Sequence, residues 1–331
     1  MDWKDSVDEV RLVGRSRAHA TVLARLAKVG PTRAEVLISG PTGVGKELYA
    51  RYLHARSRRP GTFVPVDCGA IPNQLFESEL FGHAAGAFTG AQKSFEGLVA
   101  AAEGGTLLFD EVHTLSPENQ VKLLRFLQSK QYRRLGETRL RNADVRIAAA
   151  TNLELIDEAK AGRFREDLFF RLHVVPVRIS GLAERSDDIE VLVEYFAERF
   201  AARYGNQTLR FSAEAMAFMR SYSWPGNVRE LENCVHCLAC LANDSREVQR
   251  NDLELIAAGR DLDTEVYWDF DKPFQAAKAE LVDRFEQAYV REALSRTAGN
   301  ISQAARASGK PRRSFFELMR RHEIRASEFR P

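Results

Sequence analysis

Gly40-Pro41-Thr42-Gly43-Val44-Gly45-Lys46 has the G-x-x-x-x-G-K spacing of a phosphate-binding loop. Its glycines let backbone N–H groups curl around phosphate oxygens, and a helix that follows at once adds its positive N-terminal end. A lysine in the last place reaches the β- and γ-phosphates. Glu47 stands where most such loops carry Ser or Thr for magnesium, which shifts the metal toward Asp110 and water. A second feature is Asp110-Glu111, two acids that close an apolar run. Asp110 is predicted to hold Mg²⁺, directly or through water. Glu111 is predicted to polarise the water that attacks the γ-phosphate, since phosphoryl transfer is mostly positioning and charge stabilisation. The predicted ATP-binding set also takes in Ala102, Glu103, Gly104, Gly105, Thr106, Leu107, Leu108 and Phe109, which lead into that pair. Thr151 and Asn152 end the next apolar run and could sense the γ-phosphate, with a helix cap as the plainer alternative.

Such groups need elements to hold them, and the pattern supplies these. Residues 17–29 have helical spacing, 35–39 are a short apolar run, and 45–56 read as a helix. Strand, glycine loop, helix is the opening of a parallel α/β unit. Phe63-Val-Pro-Val, Gly105–Glu111 and Val145–Asn152 read as further buried strands, with a helix bearing Val121, Leu124 and Leu127 between the last two. The expected fold class is α/β: a doubly wound parallel sheet whose ligands gather at the carboxyl ends of the strands. From about 179 the pattern is helical only, with helices over 188–204, 212–221 and from Asn227. Residues 259–276 are polar and aperiodic and read as a linker. The chain of 331 residues is thus divided into 10–178 (α/β), 179–258 (helical lid), 259–276 (linker) and 277–331 (all-α).

Composition narrows the class. At 44% hydrophobic and 28% charged residues the chain can bury a core. It has no apolar run of membrane-spanning length, its first 20 residues are charged throughout, and four cysteines suit a reducing cytosol. The net charge of +2 is uneven: residues 301–331 carry eight Lys/Arg against three acids. A basic end on a slightly acidic body points to an anionic partner.

Five motifs occur together: the phosphate loop, Gly86-Ala87-Phe88-Thr89-Gly90-Ala91, Asp110-Glu111, Phe164-Arg165-Glu-Asp-Leu-Phe-Phe-Arg171-Leu, and Trp224-Pro-Gly-Asn-Val-Arg229-Glu-Leu. In these the chain resembles the bacterial enhancer-binding proteins, AAA+ activators of sigma-54 RNA polymerase. The resemblance runs from about residue 10 to 325. It implies ATP and Mg²⁺ as cofactors, with hydrolysis in a ring hexamer that rests as dimers. It implies that Gly86–Ala91 touch sigma-54, with Phe88 as an exposed apolar anchor. It implies that Arg165 and Arg171 are arginine fingers reaching a neighbour's γ-phosphate, and that Arg229 is a sensor on the lid. Asp67 stands where the family commonly has Asn, a switch that restrains the catalytic Glu; an ionised Asp67 would repel Glu111. With only about ten residues before the ATPase domain, the chain looks similar to the subgroup controlled by a protein in trans, which includes the phage shock protein activator.

The basic end reads as helix (281–297), short helix after Asn300, glycine stop at Gly309, and helix 311–322 opened by Pro311. That is a helix-turn-helix. It resembles the Fis-type module that dimerises and binds enhancer DNA upstream of promoters. The predicted DNA-binding set is Ser302, Arg312, Arg313, Ser314, Glu317, Arg320 and Arg321, with Phe315, Leu318 and Met319 facing the core. Cys234, His236, Cys237 and Cys240 could be read as a metal site, but on one helix they are better read as small buried side chains. The expected protein is a cytoplasmic ATP-driven transcription activator with no membrane span. Two rivals are a DNA-binding regulator with a vestigial ATPase and a AAA+ remodeller of another client.

Overall fold

The computed structural model describes residues 12–88, 91–205, 207–241, 247–253, 274–322 and 324–329. It forms two compact units, Met1–Ile256 and Ala257–Pro331.

The strands are β1 (Val36–Ser39), β2 (Phe63–Asp67), β3 (Thr106–Asp110), β4 (Gln131–Tyr132), β5 (Arg141–Asn142), β6 (Arg146–Thr151) and β7 (Val175–Arg178). Five of them make a parallel sheet in the order β2-β3-β6-β1-β7. β4 and β5 form a separate antiparallel pair. The helices of this unit are α1 (Arg17–Val29), α2 (Lys46–Ser57), α3 (Phe76–Phe81), α4 (Leu98–Ala101), α5 (Pro117–Ser129), α6 (Leu155–Lys160), α7 (Glu166–Leu172), α8 (Asp187–Tyr204), α9 (Ala213–Ser221) and α10 (Asn227–Leu241). α5 shows how local sequence sets a start: Ser116 accepts from the Asn119 N–H, and Pro117, which has no N–H to satisfy, opens the first turn.

β3 and β6 are buried along nearly their whole length because helices cover both faces of the sheet. Leu107 and Phe109 join the core on one face, Leu108 that on the other. The outermost strands, β2 and β7, each carry a proline, Pro65 and Pro176. An edge strand tolerates the missing ladder N–H. β7 ends just before residue 179, where the helical pattern begins, and is not among the expected strands, its proline interrupting a short apolar run.

The lid packs α8, α9 and α10 around Ile189, Val193, Phe196, Met219, Trp224, Leu231 and Val235. The cysteine reading needs correcting here. Cys234 is buried, but Cys237 is only half-buried and Cys240 is exposed. α10 turns these positions progressively out of the core. His236 stacks on Phe200 with ring centroids 4.4 Å apart, and its Nε2 is 2.6 Å from the Tyr204 hydroxyl.

The second unit holds α11 (Phe274–Arg296), α12 (Ile301–Ala307) and α13 (Arg312–Arg321). Val290, Leu294, Ala304, Ala305, Phe315, Met319 and Ile324 form its core, with Leu318 packed at the edge. Asn300 caps α12 by accepting from the N–H groups of Ser302 and Gln303. α11 begins seven residues before the expected 281. Its first turns, Phe-Gln-Ala-Ala-Lys-Ala-Glu, are good helix formers that lack an obvious apolar period. Residues 254–273, most of the expected linker, lie outside the described residues.

Candidate functional site

The phosphate loop leaves the carboxyl end of β1, and α2 opens at Lys46. Gly43 and Gly45 have φ of 80° and 91°, backbone that favours glycine. The Lys46 side chain is buried among these turns. Its Nζ donates to the Gly40 carbonyl at 3.2 Å and lies 3.3 Å from Glu111 Oε1. Glu47, the residue in the usual Ser/Thr place, pairs with Arg51 one turn on.

Asp110 ends β3 one strand away. Burial pushes its carboxyl above the usual carboxylate range, opposed by the Glu111 N–H that its Oδ1 accepts at 3.0 Å. Glu111 has φ 48°, left-handed backbone that costs a non-glycine residue about 1–2 kcal/mol. The Thr114 N–H and hydroxyl both donate to its carbonyl and close the turn over Val112–Thr114. Glu111 Oε2 is buried without a hydrogen-bond partner and faces His113 Nδ1 at 3.4 Å. Thr151 and Asn152 end β6, the neighbouring strand. Thr151 is buried, and the Asn152 amide donates to Thr42 Oγ1 at 3.0 Å.

Two expectations fare differently. Asp67 accepts at Oδ1 from the N–H groups of Gly69 and Ala70, at 2.9 and 3.2 Å, because the chain turns sharply after β2. The stretch Ala102–Phe109 was expected to line the nucleotide as a whole. Instead Thr106–Phe109 are buried within the sheet, and Ala102–Gly105 precede the amino end of β3, at the opposite end of the strands from the phosphate loop. Glu103 there accepts from the Asp144 N–H.

The lid closes over the loop through Asn227, which sequence reasoning quoted within its motif but gave no role. Its amide donates to the Thr42 carbonyl at 2.9 Å and accepts from the Leu182 N–H at 2.8 Å. Its φ of 53° is left-handed, a conformation Asn tolerates better than most residues. Arg229, two residues on, donates its backbone N–H to the Gly43 carbonyl at 3.1 Å and leaves its side chain exposed. Below the loop lies a further unpredicted network. Arg185 donates to the Tyr49 hydroxyl and to the Val44 carbonyl; His19 Nδ1 is 2.8 Å from the same hydroxyl. Burial lowers the pKa of His19.

Arg165 caps α7 at the surface and holds Asp167 through two hydrogen bonds of 3.0 and 2.7 Å. Arg171, at the other end of α7, donates to the Leu127 carbonyl and lies 3.9 Å from Glu35. The Gly86–Ala91 loop stands on the crossing of His83 with Phe95 and of Ala84 with Leu135. Gly86 N–H donates to the Ala91 carbonyl at 2.7 Å, which pinches the loop shut. Phe88 is 39% exposed, its ring edge-to-face on His83. Thr89 and Gly90 lie outside the described residues.

On α13, Arg312, Arg313, Ser314, Glu317 and Arg320 are exposed. Arg313 pairs with Glu317 at 3.2 Å. Arg321, also exposed, pairs with Glu286 of α11 at 3.0 Å.

This is a AAA+ P-loop ATPase with a helical lid and, separately, a helix-turn-helix. Family models match most of it: a "Sigma-54 interaction domain" over residues 12–178, a "AAA+ ATPase lid domain" over 183–265, and "Bacterial regulatory protein, Fis family" over 281–321. The transcriptional regulatory protein GlrR of Escherichia coli K12 is 39% identical over 99% of this chain and 70% of its own length. The transcriptional regulatory protein ZraR of Salmonella typhimurium is 40% identical over 96% and 70%. The crystal structure of NtrX from Brucella abortus in complex with ADP superposes with a TM-score of 0.71 at 34% identity, covering 96% of this chain and 70% of that one; the ATP complex gives 0.69. The chain belongs to the sigma-54-dependent AAA+ transcriptional activators: it binds and hydrolyses ATP, acts on sigma-54 RNA polymerase and binds DNA. No helix among the described residues is long and apolar enough to cross a membrane.

Proposed function

We propose that Lys46 and Glu111 exchange partners when ATP arrives. Lys46 turns from the carboxylate to the β- and γ-phosphates, and Glu111 is released to orient the attacking water. The observation that carries this reading is the Lys46–Glu111 ion pair itself, which places both groups at the mouth of one loop. Gly40–Glu47 wrap the phosphates, Thr151 and Asn152 face the terminal phosphate, and Arg229 meets it from the lid. A divalent cation suits the half-buried Asp110 carboxylate, a hard oxygen donor, with waters and phosphates completing its shell. Glu47 is occupied by Arg51 and is a poor donor. When bound, Mg²⁺ would neutralise charge on the phosphates.

Arg165 and Arg171 act across a subunit boundary, so the working form is a ring, a hexamer assembled from resting dimers in the cytoplasm. The three working parts are 10–178, 179–258 and 277–331. The Phe88 tip presses on sigma-54 during the cycle. The helix-turn-helix fixes the ring on enhancer DNA through Ser302, Arg312, Arg313, Ser314, Glu317, Arg320 and Arg321. ATP turnover and promoter opening, measured on the same preparations, test this. Glu111→Ala should abolish both. Phe88→Ala should keep turnover and lose opening. A Phe88→Ala protein that still opens promoters, or a Glu111→Ala protein that still hydrolyses ATP, overturns the proposal. The intact Lys46–Glu111–Asp110 set disfavours a vestigial ATPase.

A further inference from the structure

We infer that His113 is a positioning residue for hydrolysis, holding one oxygen of Glu111 in register with Thr151. The imidazole sits on the turn directly after Glu111, and its side chain is only 18% exposed. Its Nδ1 lies 3.4 Å from Glu111 Oε2 and 3.4 Å from Thr151 Oγ1. It therefore bridges the acid at the end of β3 and the polar tip of β6. Hydrogen bonds in an empty catalytic site are often long and tighten once the substrate is bound.

Three observations converge on this assignment. Oε2 is buried and has no hydrogen-bond partner, so His113 is the group placed to serve it. The other oxygen faces Lys46, a cation that phosphate draws away. Asp67, the residue in the place of the usual switch, has Oδ1 engaged by the N–H groups of Gly69 and Ala70. Once Lys46 has turned, His113 is, among the described residues, the side chain left beside the Glu111 carboxylate to fix which way it points. A carboxylate free to rotate would present the water with the wrong lone pair for much of the time.

The inference rests on Glu111 as the residue that orients water, and the test separates the two. Steady-state ATP turnover of the full chain is compared with binding of a non-hydrolysable ATP analogue. His113→Ala should lower kcat roughly 10- to 100-fold, the cost of a misplaced reacting group, with KM and analogue binding within about twofold. His113→Asn puts an amide N–H where Nδ1 stood and should recover most of the rate. His113→Gln puts it where Nε2 stood and should not. Unchanged kcat in His113→Ala overturns the inference. So does equal rescue by Asn and Gln, or a parallel loss of analogue binding, which would mark a merely structural residue. Should the alanine variant fail to fold, the Asn and Gln pair carries the test alone. Turnover surviving in Glu111→Ala would sink the parent reading; a dead Glu111→Ala beside a normal His113→Ala sinks only this one.

Discussion

Gly43 and Gly86 share a backbone dihedral, φ 80°, and little else. A Cβ on Gly43 would stand 2.2 Å from the Gly226 carbonyl oxygen of the lid. A Cβ on Gly86 would meet nothing within 4 Å. The same conformation thus serves opposite ends. At Gly43 it lets two bodies close on each other, so that a change at the phosphates is felt by the lid. At Gly86 it lets a tip turn in open space, with the Gly86–Ala91 bond and the Phe88–His83 contact to hold it. A nucleotide-driven lever needs both: a tightly packed place where the energy enters and a lightly held place where it is delivered.

The sharpest challenge to that contrast comes from α7. Arg165→Ala and Arg171→Ala should each lower ATP turnover by about 10³–10⁵-fold, the usual worth of an arginine finger. Mixing Arg165→Ala with Glu111→Ala chains should restore part of the rate, since an intact finger would then face an intact site. No recovery in the mixture would mean that the nucleotide edge is complete within one chain. Next in size is Gly43→Ala. It should weaken nucleotide binding at least about tenfold, because left-handed alanine costs about 1–2 kcal/mol before the clash with Gly226 is relieved. Asn227→Ala should cost about 2–3 kcal/mol in denaturant unfolding of the ATPase unit, through two lost hydrogen bonds and the same backbone penalty. Gly86→Ala should cost only about 1–2 kcal/mol, with turnover unchanged. A Gly86→Ala variant that lost turnover would erase the distinction between the two glycines. The smallest effect is on pH dependence. His19 is buried with a lowered pKa, so the unfolded chain takes up its proton first as pH falls. The stability it contributes is present above about pH 6.5 and lost below. His19→Gln should flatten, without abolishing, the acid limb of a melting-temperature profile, because His54 is depressed by burial as well.

The phosphate loop, β1, β3 and β6 were legible because glycine spacing and uninterrupted apolar runs have few other uses. The same holds for the start of a short helix at Asn300, where one residue type meets one geometric need. What stayed hidden was long-range. Asn227 reads as one polar residue in a turn, and only the folded chain brings it to Thr42 and Leu182. His113 reads as a lone histidine until β6 lies beside β3. The pairing of Arg321 with Glu286 of α11 is likewise invisible along the chain. The turn at Asp67 was hidden for a local reason: an aspartate at a sharp turn finds the next N–H groups with its own carboxylate.

The left-handed backbone at Glu111 makes durability and turnover rivals at a single position. Glycine there would relax the chain and survive heating better, yet it would burn no fuel. A screen that rewarded heat resistance alone would therefore drift toward an idle motor.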